Sequence, residues 1–376
     1  MASPLVNRLE RAFQATSDPI EKAVLSAHIA CYQARVGEFE EAERRRSELR
    51  KEFGDGHSAR VSILIMCLDG LLLYFKNLDR NARDRLLRAN LISVACRERG
   101  LMALTSAWLA HIDFNLGQYE SMAREITNCH LVLDADDGTA ACRVALVLGD
   151  AFSYARQLES ARRWYEHARQ IATRIGDQAA VGAITYNRAA LHVSAARVGG
   201  LTAPCNKEDI AFANAEVRSA VNYQALAGLS SLDHLLRSAS IGVMMLEGRY
   251  EDAAAAIANL VASSSGPGES AELALLHADH ARCLARLGQV ELARESAQRA
   301  KAIQAEKFDA DDRALVLDAL GQFHSALGDD VEATKFSAGT RVALEEHCET
   351  IERLASLLNT HAAGPSQRAE HTPWNL

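Results

Sequence analysis

The sequence predicts an all-α fold: a superhelical solenoid of about eight helix-turn-helix repeats. Three observations predict it. A short pattern recurs at nearly constant spacing along the chain. Alanine supplies 67 of the 376 residues while aromatics make up only 6%, a composition suited to close helix packing rather than to sheets. No proline falls between Pro19 and Pro204, and helix interiors exclude proline.

The pattern is a small or turn residue, two residues, an acidic residue, one residue, then Ala. It runs from Gly37 to Ala42, Gly117 to Met122, Arg156 to Ala161, Gly248 to Ala253, Gly288 to Ala293 and Gly328 to Ala333, with a degenerate copy from Asn77 to Ala82. The last positions are 42, 82, 122, 161, 253, 293 and 333, so the steps are 40, 40, 39, 92, 40 and 40. The step of 92 is two periods plus an insertion, and the hidden copy should follow Gly199-Gly200, near residues 199–209.

Each position has a physical reason. The glycine ends a first helix, where the left-handed conformation costs little without a Cβ. The acidic residue sits in the first turn of a second helix, favoured by the helix dipole. The alanine marks the closest crossing of the two helices. Capping signals separate the repeats at Gly176-Asp177, Ser263 to Pro267 and Asp309 to Asp312. The solenoid is expected to fill residues 1–363 as one continuous domain. Periodicity fades after Thr360, and Gly364-Pro365-Ser366 leads into a flexible tail over 364–376, whose Pro373-Trp374-Asn375-Leu376 end is its apolar part.

These copies resemble the tetratricopeptide family, most closely at Leu148-Gly149…Phe152…Ala161…Tyr165…Ala168 and Leu320-Gly321…His324…Ala333. The resemblance covers roughly residues 20 to 360 and implies a right-handed superhelix. The 40-residue period is similar to that of bacterial sensor and regulator solenoids rather than to the family's usual shorter repeat. In such folds the first helix of each hairpin lines the concave face. Six positions before each turn stand Cys31, Leu71, His111, Asp150, Gly242, Arg282 and Gln322, and neighbouring inward positions add Asn115, Arg143 and Asp318. The resemblance therefore implies a groove bearing His111, Asn115, Arg143, Asp150, Arg282, Asp318 and Gln322, suited to a ligand with charged and hydrogen-bonding groups.

No chemistry-bearing motif supports catalysis, so a non-enzymatic binding module is expected. His277 and His280 lie one turn apart but have no third ligand nearby in sequence. Arg44, Arg45, Arg46, Arg50 and Lys51 are interleaved with Glu40, Glu41, Glu43, Glu48 and Glu52, which reads as a solvated, salt-bridged face. A net charge of −8 disfavours nucleic acid. The most apolar stretch, Val61 to Phe75, contains Asp69 and falls short of the ~20 residues a membrane span needs. Eight scattered cysteines without a CxxC pair, and Arg8, Glu10 and Arg11 breaking the N-terminal run, point to a cytoplasmic protein. No cofactor is implied. The expected partner is a protein or peptide in regulation or assembly; a small-molecule effector sensed in signalling or transcription is the alternative.

Overall fold

The computed structural model describes residues 3–54, 56, 58–263, 270–303 and 308–361. Of these, 85% are helical, and no strand occurs among them. The helices are α1 (Pro4–Ala15), α2 (Pro19–Val36), α3 (Phe39–Phe53), α4 (Ala59–Asn77), α5 (Asn81–Ala95), α6 (Arg99–Asn115), α7 (Tyr119–Val132), α8 (Gly138–Tyr154), α9 (Leu158–Ile175), α10 (Gln178–Gly199), α11 (Lys207–Ala227), α12 (Asp233–Leu246), α13 (Tyr250–Ser263), α14 (Ala271–Arg286), α15 (Val290–Ala302), α16 (Ala310–Ala326) and α17 (Asp330–His361). The tail expected over 364–376 and the Ser264 to Pro267 capping signal lie outside the described residues. The chain falls into two compact units. The first holds residues up to 184, 223–231 and from 354 on; the second holds 185–222 and 232–353.

Hairpin turns follow the repeat. Gly37, Gly117, Gly248, Gly288 and Gly328 all have φ between +67° and +89°. Each turn is closed by an N–H reaching back five residues, as in Glu38 to Gln33 at 2.9 Å and Gln289 to Leu284 at 2.9 Å, the Schellman bond that satisfies a terminal carbonyl. Arg156 holds the same place with φ +60°. A side chain there costs on the order of 1 kcal/mol, so the fourth copy tolerates strain that the glycine copies avoid.

The pattern alanines sit where expected. Ala42, Ala82, Met122, Ala161, Ala253 and Ala293 are buried, whereas Ala333 keeps part of its surface. Twelve positions earlier on the first helix most copies carry a small residue, Ala30, Gly70, Ala110, Gly149, Ala281 or Gly321, whereas Ile241 precedes Ala253; a Cβ on Gly70 would stand 3.1 Å from Ala82 O and one on Gly321 3.7 Å from Ala333 O. A Cβ on Gly149 would stand 2.7 Å from the Tyr165 ring, so the crossing is too close for any side chain. The hidden copy is the α10–α11 pair. Ala213 on α11 is buried and lies 40 residues before Ala253, and the extra length sits in the 200–206 connection and the longer helices. Replacing Ala161 or Ala293 by Leu should overpack these crossings at a cost of roughly 1–3 kcal/mol each, read as a lowered denaturation midpoint. Parent-like midpoints in both would disprove the register.

Within the first unit, α2, α4, α6 and α8 pack side by side, and each also packs on the second helix that follows it. First helices are therefore covered on two sides, which is why α8 reads as apolar almost all round while α9 is amphipathic. The largest core cluster joins α6, α7, α8, α9 and the start of α10, with Leu354 and Leu358 from the end of α17. The first unit is also bridged over long sequence distance. Leu5 N–H and the Ser3 hydroxyl donate to Gly176 O at 3.1 and 2.8 Å, and Arg35 pairs with Asp177. A linear stack would have contacts between neighbouring repeats alone. In the second unit, α14 packs on α13, α15 and α16, and a smaller core joins α10, α11 and α12 through Val193, Ala213, Val217 and Leu236.

Candidate binding site

In the first unit the inward positions of α2, α4, α6 and α8 carry a buried polar cluster. Arg35 and Asp177 form a two-bond ion pair at 2.8 and 3.0 Å, with side chains 6% and 1% exposed. Asp177 also accepts the Ala180 N–H at 2.9 Å, capping α10. Burial pulls the Arg35 guanidinium down, but the Asp177 charge and hydrogen bonds more than offset it and raise it overall. Trp108 stands beside this pair. The Arg143 guanidinium lies over its ring at 3.9 Å and that of Arg35 at 5.9 Å.

The predicted residues of this unit divide. His111, Arg143 and Asp150 are all buried. The Tyr74 hydroxyl meets His111 Nε2 at 3.2 Å, and the Tyr165 hydroxyl donates to Asp150 at 2.8 Å. Desolvation, then the charges of Arg143 and Arg35, hold the His111 imidazole neutral. Asn115 is exposed at the end of α6, and its side-chain amide donates to His111 O at 2.8 Å, so it serves the helix terminus. Sequence reasoning passed over Arg35, Tyr74, Trp108 and Asp177. Arg35 carried the one available signal, a cation two residues before a turn glycine in an otherwise apolar helix end.

In the second unit, Arg282 on α14 and Asp318 and Gln322 on α16 come together, all half-buried. Gln322 donates to Asp318 at 2.7 Å. Burial raises the Asp318 carboxyl, with the Arg282 charge acting against the rise. Arg282 lies by the Tyr250 ring and reaches its hydroxyl at 3.4 Å, and its Nε has no partner. Beside them Arg197 and Asp279, also unforeseen, form a two-bond pair at 2.8 and 2.9 Å.

The other candidates resolve into structure. His277 is buried, and His280 Nδ1 bonds to Ser296 at 3.0 Å. No group of three metal-ligating side chains occurs among the described residues. The basic run pairs off: Arg44 with Glu41 and Glu48 on its own helix, Arg46 and Arg50 with Asp69 on α4. A cavity of about 550 Å³ over the starts of α4, α6 and α8 is lined by His28, Arg60, Glu98 and Asp137, but there Arg60 already faces Glu98 at 4.0 Å. No described helix is long and apolar enough to cross a membrane. No protein-family model matches the chain, and no curated protein matches its sequence.

Proposed function

We propose that the chain is a cytoplasmic, non-catalytic binding protein of the tetratricopeptide type that takes a protein or peptide partner on the α14–α16 face of its second unit. The observation that carries this reading is Arg282. Its guanidinium is half-buried and makes no ion pair among the described residues. It stands next to a carboxylate and an amide that also keep exposed surface. A cation, a carboxylate and an amide on two adjacent helices suit the alternating donors and acceptors of a peptide. Neighbouring Arg197 and Asp279 satisfy each other and hold the face rigid. Arg282→Glu should reduce capture of the partner by at least tenfold while leaving the melting temperature within about 2 °C. Normal capture by the folded variant would remove this face from the function. The alternative, a small-molecule-sensing regulatory solenoid, is favoured by one observation in the first unit: Arg143 is buried there without a counter-ion.

A further inference from the structure

We infer that Arg143 is the anchor of a binding site for a small oxoanion, a carboxylate or phosphate group, inside the first unit. This deepens the sensing alternative and is independent of the partner face on α14 and α16.

The case begins with an unmatched charge. Arg143 is 5% exposed. It donates no hydrogen bond and forms no ion pair among the described residues; its one direct contact of this kind is the Trp108 ring at 3.9 Å. Buried guanidinium groups are ordinarily paired, because removing an ion from water is costly. The nearby carboxylates do not meet the need. Asp177 spends its oxygens on both Arg35 nitrogens and on the Ala180 N–H. Asp150, two turns further along α8, receives the Tyr165 hydroxyl. Burial, followed by repulsion from Arg35, lowers the Arg143 guanidinium to about 10, and Cys142, Asp177 and Tyr74 offset only part of the fall.

The surroundings suit an oxoanion. A guanidinium lying over an indole face leaves its in-plane N–H edge open, and that edge matches a carboxylate or phosphate with two parallel bonds. A second donor stands close by. His111 is neutral, its Nε2 meets the Tyr74 hydroxyl, and its buried Nδ1 has no partner. When the Tyr74 hydroxyl donates to Nε2, the imidazole proton resides on Nδ1, leaving a buried donor unused beside Arg143's own unpaired charge. An arriving anion would also be attracted by Arg35, whose guanidinium flanks the same indole.

The test compares melting temperatures in sodium phosphate and in sodium acetate with sodium chloride at equal ionic strength. At least one of the two oxoanions should raise the parent melting temperature by several degrees and change tryptophan fluorescence. Arg143→Met should melt no lower than the parent in chloride, because it removes an uncompensated buried charge, and should lose the oxoanion response. Arg143→Lys should keep a weakened response, since it retains charge but not the planar fork. Arg282→Glu should respond like the parent, and Arg143→Met should still capture a partner, which separates this site from the other face. The proposal is overturned if neither oxoanion moves the parent relative to chloride, if Arg143→Met responds as the parent does, or if Arg143→Met is strongly destabilised in chloride. That last result would make Arg143 a structural member of the core.

Discussion

Replacing Asp177 with Asn is expected to destabilise the protein by about 3–5 kcal/mol, the cost of breaking a buried ion pair from one side. The substitution is nearly isosteric and leaves an oxygen to cap α10. What it removes is the only carboxylate bonded to Arg35 among the described residues; the Arg35 side chain is 6% exposed. Arg143 lies on the same indole without a counter-ion, so two uncompensated guanidinium groups would share one interior. Removing the second charge as well should recover part of the loss: Arg35→Met in the Asp177→Asn background should be more stable than Asp177→Asn alone. Urea denaturation of the two single variants and the double variant measures this. A loss under about 1 kcal/mol for Asp177→Asn would mean that Arg35 finds water or another acceptor. The pair joins residues 142 apart in sequence, so its loss also tests whether the first unit depends on contacts beyond neighbouring repeats.

The repeat was legible because it is written in backbone requirements. A turn needing a left-handed residue, an acidic first turn and a crossing that admits only a methyl group each restrict residue type at a fixed spacing. Gly37, Glu40 and Ala42 accordingly occupy the places predicted for them. The hidden copy was expected after Gly199-Gly200 but without a register, because the helices there are longer and the turn lacks the pattern. Burial was not legible. His111 and Asp150 stand in the register of Arg282 and Gln322, yet the first two are buried and the second two half-exposed. The difference comes from long-range contacts, such as Arg35 with Asp177 and Leu5 with Gly176, which no local pattern encodes. Trp108 drew no reading from the sequence for the same reason: its two arginine contacts come from 73 residues before it and 35 after it.

Stability should rise from pH 4 to about pH 6.5 and then decline gently toward pH 8. The acid side belongs to the histidines. Desolvation is the leading cause that lowers His28 to about 4 and His111 well below its usual value, and it also lowers His167, His192, His277 and His280. Each binds its proton more weakly folded than unfolded, so its contribution is complete above about 6.5 and is lost as pH falls through the folded value. His28 alone accounts for up to about 3 kcal/mol, an upper bound because it keeps some solvent contact. The alkaline side belongs to Asp312. Burial and the charges of Asp311 and Asp309 push its carboxyl up to about 8, with Glu272 adding to the rise and Arg197 opposing it. A carboxyl raised in the folded state stabilises most below its unfolded value near 4, and that stability is lost as pH rises through 8. Between pH 4 and 6.5 the six histidines outweigh Asp312 and the more weakly raised Asp318 and Asp137; above 6.5 these six have finished titrating, whereas Asp312 has not, and His234, raised by its hydrogen bond to Glu272, adds to the decline. Asp312→Asn should therefore raise the melting temperature at pH 8, leave it nearly unchanged at pH 4, and leave only the smaller decline due to His234 between pH 6.5 and 8. An unchanged melting temperature at pH 8 would show that the Asp312 carboxylate is solvated, and the decline would then need another titrating group.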